Sequence, residues 1–193
     1  PEPNDKAAVI ALTELALELI TASRGRAFLL FTSHRMMSLV AERLEDKTKL
    51  PVLVQGSTSK RLLLEKFTKL KHAVLLGTGS FWEGVDVRGD TLSLVMIDKL
   101  PFASPDDPLL QARMEDCKMK GQDPFQQVQI PQAVISLKQG VGRLIRDVTD
   151  KGVLVICDPR LVTRAYGEIF MRSLPTMRRT RDTDRVIQFL QKL

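Results

Sequence analysis

Apolar stretches of two kinds alternate along this chain of 193 residues. Short, continuous apolar runs predict strands that are buried on both faces, as in a parallel sheet; they lie at 26–32, 51–55, 73–76, 92–98 and 152–158. Longer stretches with apolar positions at helical spacing predict helices from 5 to 25, 33 to 44, 59 to 67, 106 to 120, 131 to 146, 162 to 172 and 183 to 192. This alternation is typical of parallel βαβ units. We therefore predict one α/β domain in which helices cover both faces of a parallel sheet.

The segment 100–130 is the least regular part of this pattern. Six helix-breaking or turn-forming residues interrupt it, namely Pro101, Pro105, Pro108, Gly121, Pro124 and Pro131. Such a long interruption between two strands predicts an insertion or lid.

The residues that follow the predicted strands are richer in hydroxyl groups, glycine and charge than the strands themselves. These segments are 32–35, 55–60, 77–86, 99–104 and 158–160. In an open α/β sheet, ligands bind beyond the carboxyl ends of the strands. The pattern thus indicates one edge of the sheet as the functional edge. For Asp158 and Arg160, two roles stay open: ordering a cleft there, or capping the following helix.

Composition narrows the class of protein. No apolar run approaches the ~18 residues of a membrane span. Two cysteines, Cys117 and Cys157, exclude a disulfide framework and a four-cysteine metal site built from this chain alone. The chain begins at Pro1 without an initiator Met, and we expect it to be a piece of a longer protein.

The net charge of +6 is unevenly distributed. Residues 159–193 hold eight Lys and Arg against three Asp and Glu, a net charge of +5. This basic segment suits contact with phosphates or an acidic partner, and it equally suits a solubilising surface.

Several catalytic patterns are absent from the sequence. It has no G-x-x-x-x-G-K-[ST] phosphate loop and no G-x-S-x-G nucleophile turn. His34 and His72 have no partners at metal-ligand spacing, so we predict no metal site. A self-contained hydrolase is therefore disfavoured.

The run QGVGRLIR at 139–146 is the strongest chemical signal. On a helix, Gln139, Arg143 and Arg146 project from one face. Two guanidiniums with little acid nearby suit a phosphate group, although a solvated basic face is the plainer alternative. Gly140 and Gly142 weaken a helix, which indicates a close approach by another group.

The run GTGSFWEGVD at 77–86 directly follows a predicted strand. Its glycines let the backbone approach a ligand, Thr78 and Ser80 add hydroxyls, and Asp86 can accept hydrogen bonds from a sugar or an arginine. We interpret Phe81 and Trp82 as buried side chains of a tight loop.

Three runs in this order, FLLFTSHRMM, GTGSFWEGVD and QGVGRLIR, resemble motifs IV, V and VI of the second motor domain of superfamily two helicases of the XPD/DinG family. The run DKLPFASPDDPLLQAR also resembles the DinG branch. The resemblance covers about residues 5–175. It implies a RecA-like parallel sheet sandwiched by helices over 1–175, and it leaves 176–193 as a basic segment with a C-terminal helix packed on the same domain.

The resemblance also implies how nucleotide is bound. Such helicases bind ATP and Mg²⁺ between two RecA-like lobes, and the first lobe carries the phosphate loop and a four-cysteine iron–sulfur cluster. This chain would supply Arg143 and Arg146 to the γ-phosphate as catalytic residues. The other expected residues at the nucleotide are Gln139, Gly142, Glu83, Gly84 and Asp86. We expect no ATP hydrolysis by this chain alone.

For nucleic acid, the resemblance implies that Thr32, Ser33, Thr78 and Ser80 contact the backbone of single-stranded DNA. It further implies a bacterial, cytoplasmic and nucleoid-associated protein acting in DNA repair or replication, with no membrane contact.

The C-terminal segment lies outside these motifs. Its cluster of Arg178, Arg179, Thr180 and Arg181 has no acid before Asp182, so we expect it to be exposed. An apolar stripe follows at Val186, Phe189, Leu190 and Leu193, which suits docking onto the domain itself.

The basic cluster suits DNA phosphates or a protein partner, and the resemblance suggests the χ subunit of DNA polymerase III, with Phe189 added to the contact. A second hypothesis is therefore an adaptor of RecA-like shape that binds such a replication protein without chemistry of its own.

Overall fold

The computed structural model describes residues 6–83, 85, 87, 92–142 and 150–193. Its five strands are β1 (Ala27–Phe31), β2 (Val52–Val54), β3 (Val74–Thr78), β4 (Leu94–Ile97) and β5 (Val153–Ile156). The helices are α1 (Lys6–Ala22), α2 (His34–Glu45), α3 (Lys60–Leu70), α4 (Gly79–Trp82), α5 (Pro108–Met119), α6 (Ile130–Val141), α7 (Arg160–Thr163), α8 (Gly167–Ser173) and α9 (Thr183–Gln191). A π-helical turn, Phe125–Gln129, leads into α6.

The five strands form one parallel sheet in the order β2-β3-β1-β4-β5. Alternate strand residues point to opposite faces: Phe28 and Leu30 pack with α3, α4, α6 and α8, whereas Leu29 and Phe31 pack with α1, α2 and α9. The predicted α/β class and the doubly covered parallel sheet are confirmed. The strands are uniformly apolar because both faces are buried.

The structure corrects two predicted helices. The helix predicted over 162–172 is divided into α7 and α8, since Arg164 adopts an extended conformation between them. A Cβ at Gly167 would lie 2.0 Å from the carbonyl oxygen of Leu161, so the glycine permits this tight turn. For the helix predicted to run to residue 146, α6 has its last residue at Val141 and its C-cap at Gly142, and positions 143–146 lie outside the described residues.

The segment predicted to be an insertion or lid contains α5 and the π-helical turn. Phe102 at its start stacks on Phe125 with ring centroids 5.7 Å apart, and both rings contact Tyr166 edge to face. Phe170, fully buried in α8, also contacts Phe102. This aromatic cluster attaches the segment to the domain core.

The C-terminal helix α9 packs against α1. Leu190 is completely buried there, and Val186, Ile187 and Leu193 pack around it. In contrast, Phe189 keeps 44% of its surface exposed. Within the described residues, no helix has both the length and the apolar character that crossing a membrane requires.

Candidate functional site

The carboxyl ends of the strands meet at one edge of the sheet because all neighbouring strands are parallel. Phe31 pairs with Thr78, Leu30 pairs with Ile97, and Ile97 pairs with Ile156. The polar segments that follow the strands therefore lie side by side, as their sequence positions predict.

Thr32 and Ser33 form the turn between β1 and α2, and both are exposed. The Ser33 hydroxyl caps α2 by accepting a hydrogen bond from the Met36 amide at 3.1 Å. The Thr32 amide donates to the Asp98 carboxylate at 3.0 Å, with its hydroxyl 3.5 Å from the other oxygen. The backbone of this turn is thus held in place while the side chain of Thr32 faces solvent.

Asp98 lies at the functional edge, although the resemblance to helicase motifs gave it no role of its own. Only 6% of its surface is exposed, and it also accepts a hydrogen bond from the Lys99 amide at 2.8 Å. Burial raises the pKa of Asp98 to about 6, although the charge of Lys99 and the amide hydrogen bonds oppose that rise. In the sequence, Asp98 could have been noticed as the acidic residue that ends the apolar run at 92–98.

The glycine-rich run at 77–86 begins inside the sheet and continues as a helical turn. Gly77 and Thr78 belong to β3, and residues 79–82 form α4, including the backbone of Ser80. A Cβ at Gly77 would lie 3.0 Å from Cδ1 of Phe81, so this glycine accommodates an aromatic ring of the domain. Phe81 and Trp82 are buried, as expected.

The neighbouring connection between β2 and α3 contacts this run twice. Oε1 of Gln55 accepts hydrogen bonds from the Thr78 amide at 2.7 Å and from the Thr78 hydroxyl at 3.1 Å. Nζ of Lys60 donates to the main-chain carbonyl of Glu83, whose side chain is exposed. Because Thr78 is 6% exposed and its hydroxyl is bonded to Gln55, its predicted contact with DNA does not fit this arrangement.

The start of the run at 139–146 lies on the end of α6, and α6 contacts α4. A Cβ on Gly140 would lie 2.9 Å from Cε3 and Cζ3 of Trp82, so the expected close approach is made by this indole ring. Gln139 and Gly142 are exposed beside it. Arg143, Arg146, Gly84 and Asp86 lie outside the described residues.

Asp158 orders the segments at this edge of the sheet and also accepts from the first amide of α7, whose N-cap residue is Pro159. Oδ1 of Asp158 accepts from the Arg160 amide at 2.9 Å at the start of α7, and its carboxylate pairs with the Arg160 guanidinium at 2.7 Å. Oδ2 also accepts from the Leu100 amide at 2.9 Å, which joins the segments after β4 and β5.

The electrostatics of this pair follow from those contacts. Burial opposes the charge of Asp158, but the hydrogen bonds from Arg160 and Leu100 together hold its pKa below the usual range. The Arg160 guanidinium also lies 5.3 Å from the centroid of the Phe102 ring.

The cysteines do not fit an iron–sulfur cluster. Such a cluster needs several thiolates, and this chain has two cysteines in all. Burial, with the nearby charges of Asp98 and Asp158, raises the pKa of Cys157 to about 12, which disfavours its thiolate. Cys117 is buried on α5.

The basic cluster of the C-terminal segment is exposed, as expected. Arg179 donates to the Met171 carbonyl at 3.1 Å, and the Thr180 hydroxyl accepts from the Asp182 amide at 3.1 Å. The segment is thereby fastened between α8 and α9 while Arg178 and Arg181 face solvent.

Comparisons with known proteins agree with this architecture. A family model described as "Helicase C-terminal domain" matches residues 16–177. The chain is 60% identical over 191 residues to the ATP-dependent DNA helicase YoaA of Haemophilus influenzae, covering 99% of this chain and 30% of that protein. It is 45% identical over 182 residues to the ATP-dependent helicase DinG of Mycobacterium tuberculosis, covering 94% of this chain and 27% of the relative. The chain thus spans less than a third of the length of these relatives.

Solved structures show the same fold at lower identity. A structure titled as an XPD helicase matches with a TM-score of 0.64 and 23% identity, over 86% of this chain and 30% of that one. The Xpd4 structure from S. tokodaii matches with a TM-score of 0.61 and 22% identity, over 85% and 32%.

Proposed function

This chain belongs to the helicase C-terminal domain family, and we propose that it is the second RecA-like motor lobe of an ATP-dependent DNA helicase of the DinG/XPD type. In the whole protein, ATP and Mg²⁺ would be held mainly by the first lobe. The iron–sulfur cluster that the resemblance implies would also belong to that lobe, since this chain lacks the thiolates for it. We place its action in the bacterial cytoplasm at the nucleoid, in DNA repair or replication.

The observation that carries the proposal is the direct packing of α6 on α4. Gly140 belongs to the motif at 139–146, and Trp82 of the motif at 77–86 occupies the space that a side chain at Gly140 would need. Both helices lie on one face of the sheet at its carboxyl edge. Groups that would face ATP and groups that would face DNA are thereby rigidly connected. A motor needs such a connection to couple hydrolysis to movement on a strand.

In this proposal Arg143 and Arg146 stabilise the charge that develops on the γ-phosphate during transfer to water. Gln139 and Gly142, exposed at the end of α6, would adjoin the nucleotide together with Glu83, Gly84 and Asp86.

Single-stranded DNA would cross the exposed turn after β1. Thr32 and Ser33 are exposed there, and their hydroxyls, which lie against Asp98 and the Met36 amide in this structure, would turn to phosphate oxygens without reading a base. Ser80 would extend this contact from α4, and Thr78, bonded to Gln55, would hold the turn in position.

The test uses the full-length protein and replaces Arg143 or Arg146 with Ala. We expect ATP turnover in the presence of single-stranded DNA to fall by ~10³–10⁵, the usual effect of removing a transition-state guanidinium. Affinity for a fluorescent ATP analogue should fall far less. The matched control is Arg113→Ala, which removes an exposed guanidinium from α5. Wild-type turnover in either motif variant would refute the proposal.

A second proposal concerns a protein partner, the χ subunit of DNA polymerase III, which would bind Arg178, Arg179, Thr180, Arg181 and Phe189. The observation in its favour is that α9 is anchored by buried Leu190 while Phe189, one position earlier on the helix that follows the basic cluster, stays 44% exposed. An adaptor without chemistry would use this surface alone, and a motor lobe could carry it as well.

Binding of purified χ to the 193-residue chain, without ATP or DNA, tests this proposal. Arg178→Ala and Phe189→Ala should weaken binding, whereas Arg172→Ala, an exposed arginine of α8 paired with Glu168, should not. Competition by single-stranded oligonucleotide would identify DNA as the ligand of the cluster. Unchanged affinity for both ligands in every variant would leave the segment as a solubilising surface.

A further inference from the structure

Gln55, just after β2, and Lys60, at the start of α3, contact the two ends of the segment 78–83. Gln55 extends the sheet by one residue, because its amide donates to the Leu76 carbonyl at 2.9 Å. Its side chain then accepts from the amide and hydroxyl of Thr78. Five residues later, Lys60 donates to the Glu83 carbonyl, and its Nζ lies 5.3 Å from the centroid of the Phe81 ring.

The polar atoms of the Gln55 and Lys60 side chains satisfy backbone groups of the segment 78–83. Thr78 is buried, so its amide would lack a partner if Gln55 were apolar, and an unpaired buried donor is costly. The Lys60 ammonium fixes the last carbonyl of the segment by a hydrogen bond from a charged donor, which is stronger than a neutral one.

Lys60 lies at a position of α3 that does not favour a cation. Lys60 is the first residue of α3, after the cap residue Ser59, whose hydroxyl accepts from the Leu62 amide. A cation at this end of a helix is opposed by the helix dipole. Lys60 therefore gains nothing from the helix dipole, and its polar contacts are with the Glu83 carbonyl and the Phe81 ring.

We propose that Gln55 and Lys60 are positioning residues that hold the segment 78–83 in the conformation that couples DNA binding to ATP turnover. The inference rests on the proposed function, because it takes this segment as the link between Ser80, proposed to face DNA, and Glu83, proposed to adjoin the nucleotide. Removing either side chain would free one end of the segment. The effect would therefore fall on stimulation of ATP turnover by DNA.

The experiment measures ATP turnover of the full-length protein against the concentration of an oligothymidine strand. For Lys60→Met, we expect the concentration for half-maximal stimulation to rise by about tenfold or more, as for loss of one hydrogen bond from a charged donor. The KM for ATP should change less than about twofold in Gln55→Leu, because Gln55 contacts Thr78 and no residue proposed to adjoin the nucleotide. Lys60→Arg should recover most of the stimulation, since it restores the charged donor.

Two further variants separate positioning from other roles. Lys66→Met removes an exposed ammonium from the same helix and should behave as wild type. Gln55→Leu removes no charge and should nonetheless reproduce the defect of Lys60→Met, whereas Gln55→Glu keeps the acceptor oxygen and should be milder.

Salt dependence decides whether Lys60 contacts DNA itself. A lysine on a phosphate contributes about one unit to the slope of log affinity against log salt, and a positioning lysine contributes none. A reduced slope in Lys60→Met, unchanged stimulation in that variant, or an equal defect in Lys66→Met would overturn the inference. If DNA does not stimulate the wild-type protein, the proposed function fails first and this inference fails with it.

Discussion

Replacing Gly140 with Ala tests the contact that joins the two helicase motifs. The added Cβ would lie 2.9 Å from two carbons of the Trp82 ring and 3.6 Å from Cδ1 of Leu30. Carbon atoms pack best at about 3.5–4.0 Å, so α6 or the indole has to move by roughly 0.6 Å or more. Trp82 is 5% exposed and belongs to the buried core cluster, which makes such a movement costly.

The expected free-energy change is the sum of two opposing effects. Overpacking a well-filled core costs about 1–3 kcal/mol. Alanine is favoured over glycine within a helix by about 1 kcal/mol, which offsets part of that cost. We therefore expect Gly140→Ala to lower the free energy of unfolding by up to about 2 kcal/mol.

Urea unfolding of the 193-residue chain, followed by circular dichroism, measures this change. Trp82 is the single tryptophan of the sequence, so its fluorescence reports on the same contact. Gly79→Ala is the control, since a Cβ there would have no atom within 4 Å and the backbone φ is not left-handed. Its free energy of unfolding should stay within about 0.5 kcal/mol of wild type, as for substitutions away from sensitive features.

A double-mutant cycle attributes the effect to Trp82. Phenylalanine at position 82 lacks the outer part of the indole ring that the new methyl group meets. In a Trp82→Phe background, the cost of Gly140→Ala should therefore shrink by about 1 kcal/mol, within the range of couplings between residues in contact. An equal cost in both backgrounds, or a chain stabilised by Gly140→Ala, would refute the reasoning.

Three further predictions concern the surroundings of the site and the docking of α9. The pKa of Asp98 is about 6 in the folded chain and lower in the unfolded chain, so its contribution to stability is present below about pH 4 and is lost as pH rises through 6. Urea titrations at several pH values should show that the wild type loses about 3 kcal/mol of unfolding free energy over this window relative to Asp98→Asn. Parallel curves of stability against pH for the two proteins would contradict this. Asp158→Ala leaves the Leu100 amide without its acceptor and should lower the free energy of unfolding by about 2–3 kcal/mol, and a chain as stable as wild type would show that this link is dispensable. Leu190→Ala should lower the free energy of unfolding by about 2–4 kcal/mol, measured by thermal or urea unfolding, whereas Phe189→Ala should lower it by less than about 1 kcal/mol. Equal effects of the two substitutions would contradict the docking of α9 through Leu190.

The strands, and the edge of the sheet where the polar segments lie, could be predicted from short runs of residues. The apolar runs predicted all five strands, because a strand buried on both faces has to be apolar at every position. The polar segments after the strands predicted the functional edge, since parallel strands bring their carboxyl ends together. Gly140 likewise indicated a close approach before its partner was known.

What the sequence by itself determined about this protein is therefore its class, its motifs and the edge on which they lie. The tertiary structure decided the strand order, the end of α6 at Gly142 and the partners of each polar group. Asp98 meets Thr32 across 66 positions, and Asp158 meets Leu100 across 58. No local pattern encodes such pairs, because only the crossing of strands in the folded sheet brings them within hydrogen-bonding distance. For the same reason, the burial of Thr78 against Gln55 became evident only once β2 lay beside β3.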